Sequence, residues 1–171
     1  MRDLVPDILA PGLAVVFCGI NPATTAAVSG HNFSSQSNRF WPVLHRAGFT
    51  PVQLRADQER DLLAYGCGIT AAAPRPTARA AELSRDELAA AIPALERKIA
   101  HYAPGTVAFL GKPAWSVIAA SRHIDWGRQV MGFGGASVWV LPNPSGLNRS
   151  FTMDDLTRAY AELRMAITRR S

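Results

Sequence analysis

The chain has 171 residues, of which 48% are hydrophobic and 18% are charged, a balance typical of one soluble globular domain. No apolar run approaches the ~20 residues needed to span a bilayer, and the amino terminus lacks a signal peptide's apolar centre, which predicts a cytoplasmic protein without a membrane partner. The net charge of +5, with only two lysines among the 18 basic residues, favours an anionic partner such as nucleic acid.

The first predicted element is a strand over residues 13–20, an apolar run typical of central parallel strands. It ends at Asn21, where an amide fixed by the following proline could hold a water or a base; an Asx turn that only ends the strand is the alternative. Residues 24–37 are polar and predict a loop long enough to be functional. Phe33, the one aromatic residue of this loop, either stacks on a planar ligand or pins the loop to the core.

Two helices are predicted next. Ser37 has the position of a cap for a helix whose apolar face includes Phe40 and Trp41. Arg39 is either a structural residue or a phosphate contact. Residues 50–53 (TPVQ) have the spacing of a capping box and predict a second helix that ends at Gly66.

The middle of the chain alternates between strands and helices. A short strand is predicted at 67–70, followed by an irregular stretch over 71–81. Ser84 and Glu87 form a further capping box at the start of a helix, which Pro93 is expected to break or kink. Buried strands are predicted at 106–110 and 137–141, with a helix after the Gly111-Lys112-Pro113 turn between them.

The loop after the last strand has the most unusual composition. Pro142 ends the strand, and the residues up to Arg149 favour turns. Leu147 is the one apolar residue between Gly146 and Asn148, which predicts a wedge beside a phosphate contact. The alternative is a surface loop whose leucine folds back onto the core. An amphipathic helix is predicted from Thr152 onward.

Apolar strands that alternate with amphipathic helices predict an α/β fold: a single domain over residues 1–171, with a central parallel sheet of about four strands flanked by helices. In such sheets the ligand binds at the carboxyl ends of the strands. Cys18 and Cys67 lie in strand-like runs and are predicted to be buried free thiols. No cluster has metal-ligand spacing and no dinucleotide-binding glycine motif occurs, so we expect neither a metal nor another cofactor.

Five short stretches along the chain form a set: FCGINP at 17–22, NRFW at 38–41, RPT at 75–77, GK at 111–112 and LPNPSGL at 141–147. In this order they resemble the mismatch-specific uracil-DNA glycosylases, the bacterial relatives of the thymine-DNA glycosylases. The resemblance implies a uracil-DNA glycosylase-like fold and a monofunctional enzyme. Such an enzyme flips uracil, thymine or another damaged pyrimidine from a G·U-type mismatch, hydrolyses the N-glycosidic bond and so initiates base excision repair.

The resemblance also implies roles for individual residues in the base pocket. Asn21 would position the attacking water, and Ile20 would lie along the pocket. Phe33 would stack on the base, and Asn143 would support the pocket from the opposite strand end. The partner would be double-stranded DNA, bound by a monomer associated with the bacterial nucleoid.

On the DNA side of the pocket, Leu147 would fill the vacated position in the stack. The backbone around Gly146 and Asn148 would contact the widowed guanine, and Arg149 would lie near the backbone phosphates.

Three alanines depart from the family pattern. Ala23 stands where glycine is usual, Ala26 where some members have serine, and Ala71 where lysine or asparagine occurs. Ala26 and Ala71 remain predicted substrate contacts, with one pocket hydrogen bond removed at Ala71. Two other functions stay open: a mismatch or lesion binder with little catalytic activity, because asparagine cannot act as a base, and a nucleotide- or small-molecule-binding α/β protein.

Overall fold

In the computed structural model, which describes residues 5–168, one sheet forms the centre of the molecule, in the strand order β2-β1-β3-β5-β4. The strands are β1 (Val15–Gly19), β2 (Cys67–Ala71), β3 (Thr106–Leu110), β4 (Gly127–Arg128) and β5 (Ser137–Leu141). Four of them run parallel, and only β4 pairs antiparallel, with β5 at one edge. The α/β fold with a central parallel sheet of about four strands is therefore confirmed.

Helices cover both faces of the sheet. The α-helices are α1 (Thr24–Ser29), α2 (Phe40–Arg46), α3 (Arg85–Tyr102), α4 (Pro113–Ile118) and α5 (Met153–Thr168). Two 3₁₀-helices span Ala56–Tyr65 and Ala80–Glu82. One layer of the core contains residues of α2, α5 and the first 3₁₀-helix, and the other contains residues of α3 and α4.

Alternate strand residues supply the two layers, as the period of a β-strand requires. Phe17 and Leu110 belong to the core under α2 and α5, whereas Cys18 and Phe109 belong to the core under α3 and α4. All four side chains are at most 2% exposed. Continuous apolar runs were the correct sequence signal because these strands are covered on both faces.

Several predicted helix boundaries are wrong. Residues 24–37 are not wholly a loop, because α1 occupies their first part. Ser37 does not cap α2; the side chain of Asn38 accepts the hydrogen bond from the Phe40 N–H instead, at 2.9 Å. The capping box at Thr50 does not form either, since its hydroxyl donates to the carbonyl of Val52 at 2.7 Å, and the following helix is a 3₁₀-helix.

Pro93 does not break the helix that contains it, and α3 continues on both sides of it. A proline removes the hydrogen bond to the carbonyl four residues earlier, which here belongs to Ala89. Both residues are exposed, so water can satisfy the freed carbonyl. Ser84 does cap this helix, accepting from the N–H of Glu87 at 3.0 Å, but the predicted capping box is incomplete because the Glu87 carboxylate accepts from Arg75 instead.

Cys18 and Cys67 are buried and free, as predicted. Burial raises the pKa of both thiols, that of Cys67 to about 12, so they stay protonated. None of the helices within residues 5–168 is long and apolar enough to cross a membrane.

Candidate active site

A pocket lies at the edge of the sheet where the four parallel strands end. The predicted site residues that line it are Ile20, Asn21, Ala26, Phe33, Ala71, Asn143 and Leu147. The other three, Gly146, Asn148 and Arg149, line an adjacent groove with Ser37, Arg39 and Phe151. The structure thus brings all the predicted residues to one edge of the sheet, from segments more than 100 positions apart in the sequence.

The side chain of Asn21 is fixed by the loop that follows β2. Its Nδ2 donates to the carbonyl of Arg75 at 2.7 Å and to Oγ1 of Thr77 at 2.8 Å. The carbonyl can only accept, and Thr77 Oγ1 donates its own hydrogen to the carbonyl of Arg79 at 2.7 Å, so both partners require a nitrogen here. Asn21 Oδ1 accepts no hydrogen bond from residues 5–168 and remains available to a ligand or a water.

Thr77 is a site residue whose role the sequence analysis missed. It is 6% exposed, and its backbone exchanges hydrogen bonds with Pro22 and Thr24, both at 3.1 Å. Neighbouring Arg75 is anchored by Glu87, with donor–acceptor distances of 2.7 and 2.9 Å, and this hydrogen bonding lowers the pKa of the Glu87 carboxyl. The only indication in the sequence was the RPT stretch at 75–77, from which the contacts of Thr77 cannot be inferred.

Phe33 forms part of the pocket wall and is held in an unusual conformation. Its φ of 54° lies in the left-handed region, which a bulky residue rarely adopts. Its ring stacks on Phe40, with centroids 4.0 Å apart and an interplanar angle of 25°. Phe33 therefore packs on the core and also lines the pocket, so the two predicted alternatives do not exclude each other.

A buried carboxylate, also missed in the sequence, holds the loop that carries Phe33. Glu59 is 3% exposed, and its two oxygens lie 2.8 Å from Asn32 Nδ2 and 2.6 Å from His31 Nδ1. The carbonyl of Asn32 also accepts from Trp41 Nε1, at 3.3 Å. A buried carboxylate is stabilised by such donors, so these contacts support the backbone of Phe33 from outside the pocket.

The rest of the pocket wall is mostly small or apolar. Ile20 is 7% exposed and Ala26 is 3% exposed, and Ala71 is the last residue of β2, opposite Gly19. No aspartate, glutamate, histidine or lysine is found among the pocket-lining residues, all of which lie within the described part of the chain. The pocket therefore offers neutral hydrogen-bonding groups and the guanidinium of Arg79, but no side-chain base.

Asn143, at the end of β5, complements Asn21. Its Oδ1 accepts from the N–H of Ser145 at 2.9 Å, and its carbonyl accepts from Asn148 Nδ2 at 2.9 Å. Its Nδ2 donates to no residue between 5 and 168. Within residues 5–168, Asn21 thus has an unused acceptor, Oδ1, and Asn143 has an unused donor, Nδ2. Both residues line the same pocket.

Residues 143–151, which we call the Leu147 loop, project Leu147 from the pocket rim. Its side chain is 62% exposed, so the alternative in which it folds back onto the core is wrong. Gly146 allows the loop to pass close to Ser37, because a Cβ at position 146 would lie 2.6 Å from Ser37 Cβ and 2.8 Å from its carbonyl oxygen. Arg149 is exposed and forms no ion pair within the described residues.

The backbone of the Leu147 loop is only partly available to a partner. The N–H of Asn148 donates to the carbonyl of Ser145 at 3.0 Å, and the carbonyl of Asn148 accepts from Arg39. Neither backbone group of Gly146 has a partner among residues 5–168. Arg39 donates to carbonyls of this loop, so in this structure it is a structural residue.

Among the described residues, no three histidine, cysteine, aspartate or glutamate side chains are grouped so that they could hold a metal ion. The chemistry open to the pocket is therefore that of positioned amides, hydroxyls, an aromatic ring, the Arg79 guanidinium and backbone groups. These can bind a planar base with carbonyl and N–H groups and can orient a water beside it.

Comparison with known families agrees with this arrangement. The family model described as Uracil DNA glycosylase superfamily matches residues 6–164, which include every strand and every pocket residue. Membership supports a DNA glycosylase, a hydrolase of N-glycosidic bonds that has DNA as its partner. With most of its length matched, the chain belongs to the uracil DNA glycosylase superfamily.

Proposed function

We propose that the protein is a monofunctional, mismatch-directed glycosylase that removes uracil from G·U-type pairs in duplex DNA and so initiates base excision repair. Thymine and other damaged pyrimidines are proposed as further substrates. The observation that carries the proposal is the fixed amide of Asn21, whose free oxygen shares a pocket with Phe33, Asn143 and Leu147.

In the proposed reaction, a water held by Asn21 Oδ1 attacks C1′ of the deoxyribose, and the bond from C1′ to N1 of uracil breaks. The electron pair of that bond leaves with the base, and the proton of the water passes to solvent. Asn21 orients the water but cannot take its proton. Asn143 Nδ2 donates to the departing base, where negative charge develops, and Phe33 stacks on the ring.

This chemistry without a side-chain base is expected to be slow, and it depends on bases that leave the duplex easily. A mispaired base costs less to extrude than a paired one. In the proposed complex Leu147 enters the vacated position, backbone groups around Gly146 and Asn148 approach the widowed guanine, and Arg149 contacts a phosphate. We propose that a monomer performs this reaction at the nucleoid in the cytoplasm of a bacterium.

One assay tests the proposal. The protein is incubated with oligonucleotides containing G·U, A·U, G·T or single-stranded uracil, and abasic sites are then cleaved with alkali. Strand breaks that are strongest for G·U are expected. No breaks with any uracil substrate would refute the enzymatic function.

A second candidate is a mismatch or lesion binder with little activity, which the lack of a carboxylate among the pocket-lining residues favours. It predicts a gel shift with the G·U duplex and no strand breaks. The remaining candidate, a small-molecule- or nucleotide-binding protein, predicts neither a shift nor breaks.

The wedge role of Leu147 has its own test. Leu147→Ala should leave the melting temperature unchanged because the side chain is exposed. It should lower excision from duplex G·U several-fold and spare single-stranded uracil, which needs no extrusion. Val130→Ala is the matched control, because Val130 is also an exposed apolar residue but lies on the loop before β5, away from the pocket. Equal loss on both substrates would contradict the wedge.

A further inference from the structure

We propose that Arg39 is a positioning residue that holds the Leu147 loop in the conformation from which Leu147 enters duplex DNA. Efficiency on paired DNA would then depend on a side chain that does not itself touch DNA. The inference rests on the proposed function and adds a residue to which that function assigns no role.

Arg39 binds the Leu147 loop through five hydrogen bonds. Its Nη1 donates to the carbonyl of Phe151 at 2.6 Å. Its Nη2 donates to the carbonyls of Ser145 at 3.0 Å and Asn148 at 2.8 Å. Its Nε donates to the carbonyl of Pro144 at 3.4 Å, and its backbone N–H donates to the same oxygen at 2.9 Å. The guanidinium is half-buried by these contacts.

The carbonyls that Arg39 binds lie on both sides of Leu147 in the sequence. Pro144 and Ser145 precede it, and Asn148 and Phe151 follow it. One planar group therefore fixes both arms of the loop, with Leu147 between them. Lysine could not replace this contact, because its single nitrogen lacks the fork geometry that reaches several separated acceptors at once.

Arg39 is itself rigidly placed. It immediately precedes α2, whose first residues, Phe40 and Trp41, are 0% and 5% exposed. Phe40 also carries the stacked ring of Phe33. The start of α2 thus fixes the base-stacking residue on one side and the Leu147 loop on the other, which sets the distance between the pocket and the wedge.

A direct phosphate contact is a poorer account of Arg39. All three guanidinium nitrogens donate to carbonyls, and a phosphate could be bound only by giving up some of these hydrogen bonds. Arg149 in the same groove is exposed and has no ion pair within the described residues, so it is the better phosphate ligand. The two arginines should therefore differ in how their removal affects salt dependence.

The first test is Arg39→Lys, which keeps the charge. Single-turnover excision from duplex G·U should fall by about 10-fold or more, the scale on which small misplacements reduce rates. Excision of single-stranded uracil, and the salt dependence of duplex binding, should stay unchanged. Arg55→Lys is the matched control, because Arg55 is exposed and pairs only with Asp57. An equal loss on duplex and single strand would show a merely structural role and overturn the proposal.

The second test asks whether Arg39 acts through Leu147. If it does, the double variant Arg39→Lys, Leu147→Ala should be no slower on duplex G·U than the slower single variant, because coupled sites are not additive. Additive losses would overturn the proposal. Gly146→Ala, which drives the loop against Ser37 while Arg39 is intact, should reproduce the duplex-specific loss even if Arg39→Lys does not fold.

The proposed function and the role of Arg39 can fail separately. If the unaltered protein releases no uracil, the proposed function is wrong, and the role of Arg39 is then measured as binding to a duplex with an abasic site opposite guanine. There Arg39→Lys and Leu147→Ala should weaken binding equally and without additivity. If excision occurs and Arg39→Lys leaves it unchanged, only the role of Arg39 is refuted.

Discussion

At the scale of single residues, the main polar groups of the pocket are the side-chain amides of Asn21 and Asn143. Each amide forms hydrogen bonds to the protein through only one of its two polar atoms. Asn21 uses its nitrogen on the protein and keeps its oxygen, whereas Asn143 uses its oxygen and keeps its nitrogen. Because an amide cannot rotate freely once half of it is bound, each asparagine presents one defined hydrogen-bonding group. A pocket lined by no carboxylate, histidine or lysine side chain can in this way still discriminate between orientations of a ligand.

Asn21→Ala should lower single-turnover excision of uracil roughly 100-fold, the scale on which a positioned catalytic group contributes. The protein should stay folded and should still bind the G·U duplex, because the proposed DNA contacts lie on the Leu147 loop. Rates are measured with enzyme in excess over labelled duplex, and binding by gel shift. Unchanged excision in the folded variant would remove Asn21 from the mechanism.

Two substitutions of Thr77 form a matched pair that tests whether the orientation of the Asn21 amide matters for excision. Thr77→Ser keeps a hydroxyl that can accept from Asn21 and donate to Arg79, and it should retain most of the activity. Thr77→Val removes both hydrogen bonds at nearly constant volume, so Asn21 loses one of its two anchors. Equal activity of the two variants would mean that the orientation of the amide does not depend on Thr77.

The small residues of the pocket predict its substrate range. Ala26 and Ala71 leave room that a larger polar side chain would fill, so the 5-methyl group of thymine should be tolerated. One methyl group in an apolar pocket separates ligands by only ~1–3 kcal/mol. Thymine opposite guanine should therefore be released measurably, though more slowly than uracil. A thymine rate below detection beside robust uracil release would contradict this expectation.

At the scale of elements, α5 fixes the residue that immediately precedes the Leu147 loop. The hydroxyl of Tyr160, a fully buried residue of α5, donates to the carbonyl of Pro142 at 2.9 Å. Burial raises the pKa of Tyr160, which keeps the hydroxyl protonated and able to donate.

Tyr160→Phe should lower the free energy of unfolding by about 1–3 kcal/mol, the cost of leaving a buried carbonyl without its partner. Urea denaturation followed by circular dichroism measures this change. Tyr65→Phe is the control, because Tyr65 is 41% exposed and its hydroxyl makes no hydrogen bond within the described residues. Two variants of equal stability would show that the bond to Pro142 contributes nothing.

Elements with a strong local pattern could be predicted from the sequence, and those that depend on distant contacts could not. Four apolar runs identified the parallel strands, but β4 has only two residues and no pattern of its own. The capping box predicted at Thr50 does not form, because the buried Thr50 hydroxyl donates to the carbonyl of Val52 instead. Pro93 was tolerated because its face of α3 is exposed.

The same distinction applies to the site. Ile20, Asn21, Asn143 and Leu147 could be predicted because they lie in the stretches that resemble a family, and Ala26, Phe33 and Ala71 because the same resemblance extends between those stretches. The groups that orient them could not, because Thr77, Glu59 and Arg39 act on partners 27 to 112 positions away. Such hydrogen bonds leave no periodic pattern and become visible only when the strands are in register.

At the scale of the whole molecule, the net charge of +5 attracts DNA, but its distribution decides how DNA is held. Arg75 and Lys98 are paired with carboxylates, and Arg39 is bound to carbonyls. Arg149 in the groove beside the pocket remains without such a partner among residues 5–168. Its position in the groove with Gly146 and Asn148 distinguishes it from other exposed arginines, including Arg79, which lines the pocket itself.

Arg149→Ala should therefore weaken binding to all duplexes and reduce the steepness of its salt dependence by about one unit in a plot of log affinity against log salt concentration. Arg97→Ala removes the same charge from the exposed face of α3 and is the control. Titrations at several salt concentrations give both slopes. If the two variants have the same slope, Arg149 contributes only general attraction.

The anchoring of Asn21 also bears on when the proposed activity would appear after synthesis. The amide is oriented by Arg75 and Thr77, which follow β2, while Asn143 belongs to a segment that joins the sheet through β3. A partly folded chain, even with its helices formed, lacks the oriented oxygen until these distant segments have docked. An enzyme that creates abasic sites is hazardous to a genome when its selectivity is incomplete. Under the proposed function, catalysis and base selection would depend on the same contacts between distant segments, so a chain in which those segments have not docked would be inactive.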